Sequence, residues 1–490
     1  MDVLLGDTGN TPHRYAKIYQ SVRIAYYLTA DALCMNTITI TIKEHNVELK
    51  RNIGLVTAMM IIIADVIGTG IFMTTGEVLA MTGSALSVLV LFGLGGLIAL
   101  TGSLCYAEMA TMWPEDGGEY VYLKKIYGQL PSFLSGWISL IIGFSLAAAM
   151  SSITAVNYIN KLFPGGVITG DFMPKITAAG IIILFSIMHI IGVQRGSAVQ
   201  NILTILKLLV VFMFIVMGFY FADWALSSRM TATYTVEDGS SVFKWGSALI
   251  IIMYAYSGWN GTTYIAGEIR KPETNLPRAL FFGALLITII YMAMNIVYLM
   301  SSTGQEIMAE GKYTIGALAA KNLFGPSIGP VFDICIVIIL LSSVSVQMMI
   351  GPRVTYAMAK DRTIFRALDR VSPRFQTPDL AIIVQMAIAV FYVFIGFGAI
   401  LKMLIYMGFA LSIFPLMTVI GMVYLRIKEP GLVRPFKVPL FPIIPAIYIL
   451  LMMGVIITTL IEKTVPSLFA IGVVAAGIVI YIIRVKTMNT

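Results

Sequence analysis

Long apolar segments alternate with short polar loops along most of the chain. A membrane-spanning helix needs about 20 apolar residues to cross the hydrocarbon core. By that measure the sequence predicts twelve spans, numbered in chain order: 53–80, 85–112, 131–160, 174–192, 197–222, 243–268, 279–301, 329–358, 378–398, 401–425, 440–461 and 466–485. Because no loop between them is long enough for a soluble domain, we expect residues 51–485 to form one all-helical membrane domain.

The composition agrees with this pattern. Hydrophobic residues make up 58% of the 490 positions and charged residues only 12%. Soluble domains carry about 25% charged residues, so the composition excludes a soluble enzyme of this size. The three cysteines, Cys34, Cys105 and Cys335, lack the spacing of metal ligands, and the three histidines are scattered. The sequence therefore indicates no metal site, no cofactor and no disulfide framework.

Residues 1–50 do not follow the apolar pattern. They are polar and mixed, and they lack the apolar core of a signal peptide. Met35 stands 18 residues before Ile53, which is a normal length for a short cytoplasmic tail. We therefore predict that residues 1–34 are a disordered extension or precede the true start, and that residues 486–490 form a cytoplasmic tail.

The net charge of +8 is concentrated in the loops on one side of the predicted membrane. With an even number of spans both termini lie on that side, which carries 20 lysines and arginines against 8 on the other. Positively charged loops favour the cytoplasm, so we expect both termini there in a cell membrane protein. Because no continuous basic patch with interleaved aromatic residues is present, the charge does not indicate a nucleic-acid partner.

Span 1 carries an interruption at 64–72, where Gly68 and Gly70 bracket one residue in the middle of an apolar run. Glycine in a helix interior costs about 1 kcal/mol relative to alanine. Unwound backbone survives in a bilayer only where it is buried in protein or lines a wet cavity. The pattern indicates either a broken helix whose free N–H groups hold an anion or a close helix crossing, since glycine pairs also pack helices.

Span 6 carries a second interruption at 254–261, where two glycines stand among polar and aromatic residues. The two interruptions lie five spans apart. Paired interruptions at matching positions are typical of transporters built from inverted repeats, whose site lies at the midplane. We therefore predict that spans 1–5 and 6–10 are the two repeats and that spans 11 and 12 are peripheral.

Six motif regions then carry a resemblance to a known family. They are IGTGIF at 67–72, YAEM and PEDGGEY within 106–120, YSGWN at 256–260, GEIRKP and LPRA within 267–279, GPRVTYAMA at 351–359 and RPFKVP at 434–439. In this order they resemble the amino acid–polyamine–organocation (APC) transporter superfamily, nearest its L-type and serine/threonine exchanger branch. The resemblance implies a leucine-transporter-like fold with broken spans 1 and 6, and transport of amino acids by alternating access.

The resemblance also implies a substrate site at the two breaks. Free N–H groups at the start of the second half-helix, where the helix dipole is positive, would bind the substrate carboxylate; they belong to Gly68, Thr69, Gly70 and Ile71. The carbonyls of Val66, Tyr254 and Ser257 would accept from its ammonium. Tyr254 matches an aromatic gate that covers the substrate, and Asn260 a polar position that contacts substrate or span 1.

Lys207 lies in the middle of span 5, about ten residues from either end. An intramembrane lysine indicates function, because burying its charge is costly. The resemblance implies that it lies where sodium-coupled relatives hold an ion between spans 1 and 8. Its expected partners are the carbonyls of Ala64 and Ile67 and the hydroxyls of Ser342 and Ser343. It then acts as a fixed cation or as a proton site.

Asp65 departs from the family pattern, which has a small or hydroxylated residue just before the break. Two interpretations stay open: a carboxylate that faces the cavity and is hydrogen-bonded to loop backbone, or a functional carboxylate that forms an ion pair with Lys207 or serves as a second proton site. In the loops, Glu119 and Glu268 stand near basic residues and predict cytoplasmic ion-pair latches.

Several functions remain open at the level of sequence. The leading prediction is a secondary transporter of a neutral amino acid, as exchanger or proton symporter, because spans 3 and 6 carry no acidic residue at pocket depth. A polyamine or cationic amino acid exchanger is the alternative, and Asp65 favours it. An amino acid sensor ranks lower. Residues 161–174 contain no cysteine, so we expect no disulfide-linked heavy chain of the kind the mammalian L-type exchangers carry.

Overall fold

The computed structural model describes residues 49, 51–163, 168, 170–222, 242–309, 315–396, 400–462 and 464–488. The predictions for residues 1–48 and for the last two residues lie outside them. The described residues form α-helices joined by short turns, with no strand longer than an isolated bridge. The α-helices are Leu55–Val66, Thr69–Thr82, Ala85–Met112, Glu119–Tyr127, Gln129–Ile138, Ala147–Leu162, Met173–Ile190, Val193–Phe221, Val242–Tyr256, Pro272–Ser301, Gly304–Ala309, Ile315–Phe324, Gly329–Ile350, Pro352–Lys360, Asp379–Gly396, Ile400–Lys428, Ile443–Glu462 and Thr464–Met488.

The all-helical fold is confirmed for these residues, and the count of spans is close to the expected one. Ten helices in the described part of the chain are long and apolar enough to cross a membrane. An eleventh span is the bent pair Leu55–Val66 and Thr69–Thr82. The remaining predicted span, 243–268, differs because its helix Val242–Tyr256 has only 15 residues and gives way to 3-10 turns at Gly261–Tyr264 and Ala266–Glu268.

Span 1 is broken between Val66 and Thr69, and its two halves meet at 43°. The first half packs against the helices of spans 5, 7 and 8, and the second half against span 6. Close packing requires the small residue at Gly68, where an added Cβ would lie 3.0 Å from the Ser343 hydroxyl. The glycine pair therefore marks a broken helix that also crosses its neighbours closely, and the binding of an anion by its N–H groups stays a prediction.

Span 6 is interrupted just after Tyr256. Gly258 has φ of +99°, a conformation that glycine adopts without the steric cost that a Cβ imposes. Span 3 also departs from a regular α-helix, because Ser139–Leu146 is a π-helical segment between Gln129–Ile138 and Ala147–Leu162. Such segments widen a helix locally and are frequent at functional sites.

Candidate functional site

The fully buried Lys207 ties span 5 to the break in span 1. Its ammonium donates to Ala64 O at 2.8 Å, to Ile67 O at 2.5 Å and to Ser343 Oγ at 3.1 Å. Ile67 follows directly on the end of the first half-helix, where carbonyls lack intrahelical partners. The lysine therefore supplies donors that the break removes, and it joins spans 1, 5 and 8.

Ser342 was predicted to share this contact, and that prediction is wrong. Its hydroxyl accepts instead from Gln200 Nε2 at 3.2 Å. Neighbouring residues on a helix point about 100° apart, so span 8 turns only Ser343 toward the break. Ser343 Oγ lies 3.1 Å from Ile67 O and 3.2 Å from Ile339 O, and its one hydrogen is donated to either carbonyl.

Of the two interpretations left open for Asp65, the ion pair with Lys207 is absent, since no carboxylate of the described residues lies within 4.0 Å of this lysine. Asp65 follows Ala64 and points to another face of the half-helix. Its carboxylate packs against the break in span 6, where a Cβ at Gly258 would lie 2.6 Å from Oδ2 and one at Gly261 would lie 3.1 Å from it.

A cavity lies between the two breaks and spans 3, 8, 10 and 11. Its lining residues are Asp65, Glu119, Ser139, Gly143, Phe144, Ala147, Met253, Tyr254, Ser257, Gly258, Trp259, Asn260, Tyr264, Gln347, Gly408, Leu411, Ser412, Pro415, Tyr448 and Met452. The π-helical segment of span 3 contributes three of them, Ser139, Gly143 and Phe144. Among the described residues the lining includes two carboxyl groups and no lysine, arginine or histidine, so its titratable groups are acidic.

Three of the residues implied for substrate binding line this cavity: Tyr254, Ser257 and Asn260. The implied carboxylate donors at 68–71 do not, because they are buried behind Tyr254. The Tyr254 hydroxyl lies 2.5 Å from Thr69 Oγ1, and an added Cβ at Gly70 would lie 2.5 Å from the Ala255 Cα. In this conformation the tyrosine closes the half-helix terminus against the cavity.

Two of the implied ammonium acceptors already lie within hydrogen-bond distance of donors in the protein. Val66 O lies 2.8 Å from the hydroxyl of Tyr291. Tyr254 O accepts from Ser257 N at 3.0 Å and from Ser257 Oγ at 2.7 Å. The sequence did not single out Tyr291, because a tyrosine in an apolar span has no distinguishing pattern.

Glu119 was predicted to form an ion-pair latch, and that prediction is wrong. Its Oε1 accepts from Asn260 Nδ2 at 2.7 Å and lies 3.4 Å from the Tyr264 hydroxyl. Burial raises the pKa of the Glu119 carboxyl to about 7, and these hydrogen bonds oppose that shift. Glu119 therefore joins the loop before span 3 to the end of the broken span 6.

The second latch is present. Glu268 Oε1 accepts from Arg353 Nε at 2.8 Å, and both side chains are almost fully buried. Asp116 lies beside this pair and accepts from Gly267 N at 3.0 Å. Burial and the charge of Glu268 raise the pKa of Asp116 to about 7. The sequence missed Arg353, although its place in the GPRVTYAMA motif marked the region.

Two broken spans beside a buried lysine and a cavity lined by acidic side chains are typical of a membrane transporter. The amino acid permease family matches residues 53–483. The chain therefore belongs to the amino acid permeases, which are transporters rather than enzymes, and it is a multi-pass membrane protein with a small-molecule amino acid substrate.

Similar proteins agree with this assignment. The serine/threonine exchanger SteT of Bacillus subtilis (strain 168) is 31% identical over 88% of this chain and 96% of its own. The b(0,+)-type amino acid transporter 1 of Mus musculus is 30% identical over 90% of each chain. The large neutral amino acids transporter small subunit 2 of Homo sapiens is 28% identical over 90% of this chain and 81% of its own.

Proposed function

We propose that the chain exchanges neutral amino acids across the cell membrane by alternating access, with Lys207 as a fixed cation. The observation that carries this proposal is the set of three oxygen acceptors around the lysine Nζ. They match the three donors of a charged ammonium. A permanent cation at the break removes the need for a coupling ion, which suits exchange better than symport.

The proposed substrate site lies at the breaks. Opening of the contact between Thr69 and Tyr254 frees the N–H groups at 68–71 for the substrate carboxylate, and the dipole of the second half-helix adds attraction. Tyr254 then closes again over the bound amino acid. Spans 1–5 and 6–10 are proposed as the two repeats that move around this site.

A neutral substrate is supported by relatives named for serine, threonine and large neutral amino acids. A second candidate is a cationic amino acid. It is favoured by the carboxyl groups of Asp65 and Glu119 on a cavity that has no basic lining residue.

We further propose that both termini face the cytoplasm, on the strength of the lysine and arginine bias between the two sides. We also propose that the chain works without a disulfide-linked heavy chain, since residues 161–174 contain no cysteine. The orientation of the chain in the membrane is tested by labelling single cysteines introduced at exposed positions, such as Arg362 and Lys321. A reagent outside intact cells should label the cysteine at position 321 and not the one at position 362.

The central test is uptake into proteoliposomes of the purified chain. Vesicles are filled with all twenty amino acids or left empty, and uptake of each labelled amino acid is measured at outside pH 5.5 and 7.5. Exchange requires internal substrate and gives the same rate at both pH values. Uptake into empty vesicles that rises at low pH would establish proton symport instead, and strongest uptake of lysine or arginine would establish the cationic candidate.

A further inference from the structure

The cavity contains two hydrogen-bond acceptors that have no partner among the described residues. Among the described residues no hydrogen bond reaches the Asp65 carboxylate, and this partly exposed side chain lines the cavity. Gln347 Oε1, on span 8, is buried without a partner and lines the same cavity. A buried acceptor that lacks a donor is costly, and Gln347 Oε1 is such an acceptor; together with the Asp65 carboxylate it offers the cavity to a ligand that brings donors.

The second break makes room for the Asp65 carboxylate. Gly258 and Gly261 lie directly against it, and an alanine methyl at Gly258 would lie 2.6 Å from Oδ2. The carboxylate consequently lies beside Ser257, at the point where the half-helices of spans 1 and 6 meet. This is also where the family resemblance puts the substrate ammonium.

The carbonyls expected to bind that ammonium are weaker candidates than Asp65. The single hydrogen of the Tyr291 hydroxyl is shared between Val66 O at 2.8 Å and Ala255 O at 2.9 Å, and Tyr254 O accepts twice from Ser257. A carboxylate attracts an ammonium more strongly than a carbonyl does, because the hydrogen bond joins two charged groups.

The charges also balance around a zwitterion. Lys207 is held by oxygen atoms behind the break and forms no ion pair with Asp65. The lysine and the aspartate therefore contribute one charge of each sign on two sides of the half-helix terminus. A substrate with one carboxylate and one ammonium leaves this arrangement neutral.

We infer that the ammonium group of the substrate binds in an ion pair to the Asp65 carboxylate, with Gln347 Oε1 as a second acceptor. This inference rests on the proposed function and names how its substrate is selected. The site requires a positively charged nitrogen. The α-hydroxy acid that has the same side chain as the amino acid substrate should be rejected, because it lacks the ammonium. The amine that lacks only the carboxylate of the substrate should still bind.

The test is a binding experiment on the purified full chain in detergent, because variants at a binding residue can lose turnover. The twenty L-amino acids are screened for the one whose labelled form binds most tightly. Its unlabelled form, its α-hydroxy acid and its decarboxylated amine then serve as competitors, in sodium and in choline buffer. Wild type, Asp65→Asn, Gln347→Leu and Asp333→Asn are compared. The last makes the same chemical change at a span-8 residue that does not line the cavity.

In wild type the hydroxy acid should bind about 100-fold more weakly than the amino acid, which is the loss expected for one partner of a desolvated charge pair. Asp65→Asn should weaken the amino acid and the amine by about 100-fold and the hydroxy acid less than threefold. Gln347→Leu should weaken the binding of the amino acid and of the amine by about tenfold. Asp333→Asn should change none of them. Size-exclusion profiles identify variants that fail to fold. An Asp65→Glu variant keeps the carboxylate and should restore part of the affinity that Asp65→Asn loses.

Equal weakening of amino acid and hydroxy acid by Asp65→Asn would overturn the inference, because the residue would then act on the structure alone. No change would overturn it as well. Wild-type binding that requires sodium, with the requirement lost in Asp65→Asn, would assign the carboxylate to a metal cation instead. Failure of the proposed function is distinguishable, since in that case wild type binds and transports no amino acid at all.

Discussion

The buried pair between Glu268 and Arg353 offers the sharpest test of the energetics of the fold. Their side chains are 1% and 2% exposed, and Nε lies 2.8 Å from Oε1. Arg353→Met keeps much of the side-chain volume and leaves the Glu268 charge without its partner. Removing one member of a buried pair costs about 3–5 kcal/mol, so this variant should be strongly destabilised.

Two comparisons separate the ion pair from the loss of packing. Arg370→Met makes the same change at a 59% exposed arginine, which lies 3.4 Å from Asp379. An exposed pair contributes about 0–1 kcal/mol, so this variant should stay near wild type. The double variant of Arg353→Met with Glu268→Leu removes both buried charges and should recover most of the loss.

Unfolding of the purified variants in detergent is followed by denaturant titration, and the free energies are combined as a double-mutant cycle. The reasoning is refuted if Arg353→Met costs no more than Arg370→Met. It is also refuted if the double variant is as unstable as the single one, because the cost would then come from packing and not from the unpaired charge.

Three further outcomes are expected. Lys207→Met should abolish exchange in proteoliposomes. Its free energy of unfolding should change by no more than about 1–2 kcal/mol, because the loss of the lysine hydrogen bonds is offset by the removal of a charge that is costly to bury. Lys321→Met, at an exposed lysine, should exchange normally. Gly258→Ala should lower yield and unfolding temperature, because it strains a φ of +99° and pushes a methyl into the Asp65 carboxylate; an unchanged unfolding temperature would contradict this. Burial raises the pKa of Asp116 from 3.8 to about 7, so its contribution to stability is complete below pH 4 and is lost as the pH rises to about 7. Asp116→Asn should remove that part of the pH dependence in a thermal unfolding series, and an unaltered profile would show that another group titrates.

The two breaks were predictable because they are local events. Glycines and polar residues in the middle of apolar segments conflict with a continuous helix, and the conflict is visible in the sequence at 64–72 and 254–261. Lys207 was visible for the same reason, since a charge in the middle of a span needs partners. The structure provides those partners at Ala64, Ile67 and Ser343.

The errors arose where the direction of a side chain decided the outcome. Ser342 and Ser343 are neighbours of the same type, and only the helical phase of span 8 determines which one meets Lys207. For Asp65 the sequence left open a cavity-facing carboxylate or a pair with this lysine, and its carboxylate lines the cavity and packs against span 6. Glu119 has basic neighbours in sequence, but its partner Asn260 is 141 positions away.

The sequence by itself determined the class of protein, the positions of the breaks and the buried lysine. These follow from hydropathy and from residues that are costly in a bilayer, and both are properties of short segments. The tertiary structure alone decided which groups face the cavity, that Tyr254 closes over the half-helix terminus, and that Asp65 and Gln347 stand unpaired in one space. Those features depend on how helices far apart in sequence rotate and pack against each other, which no local pattern encodes.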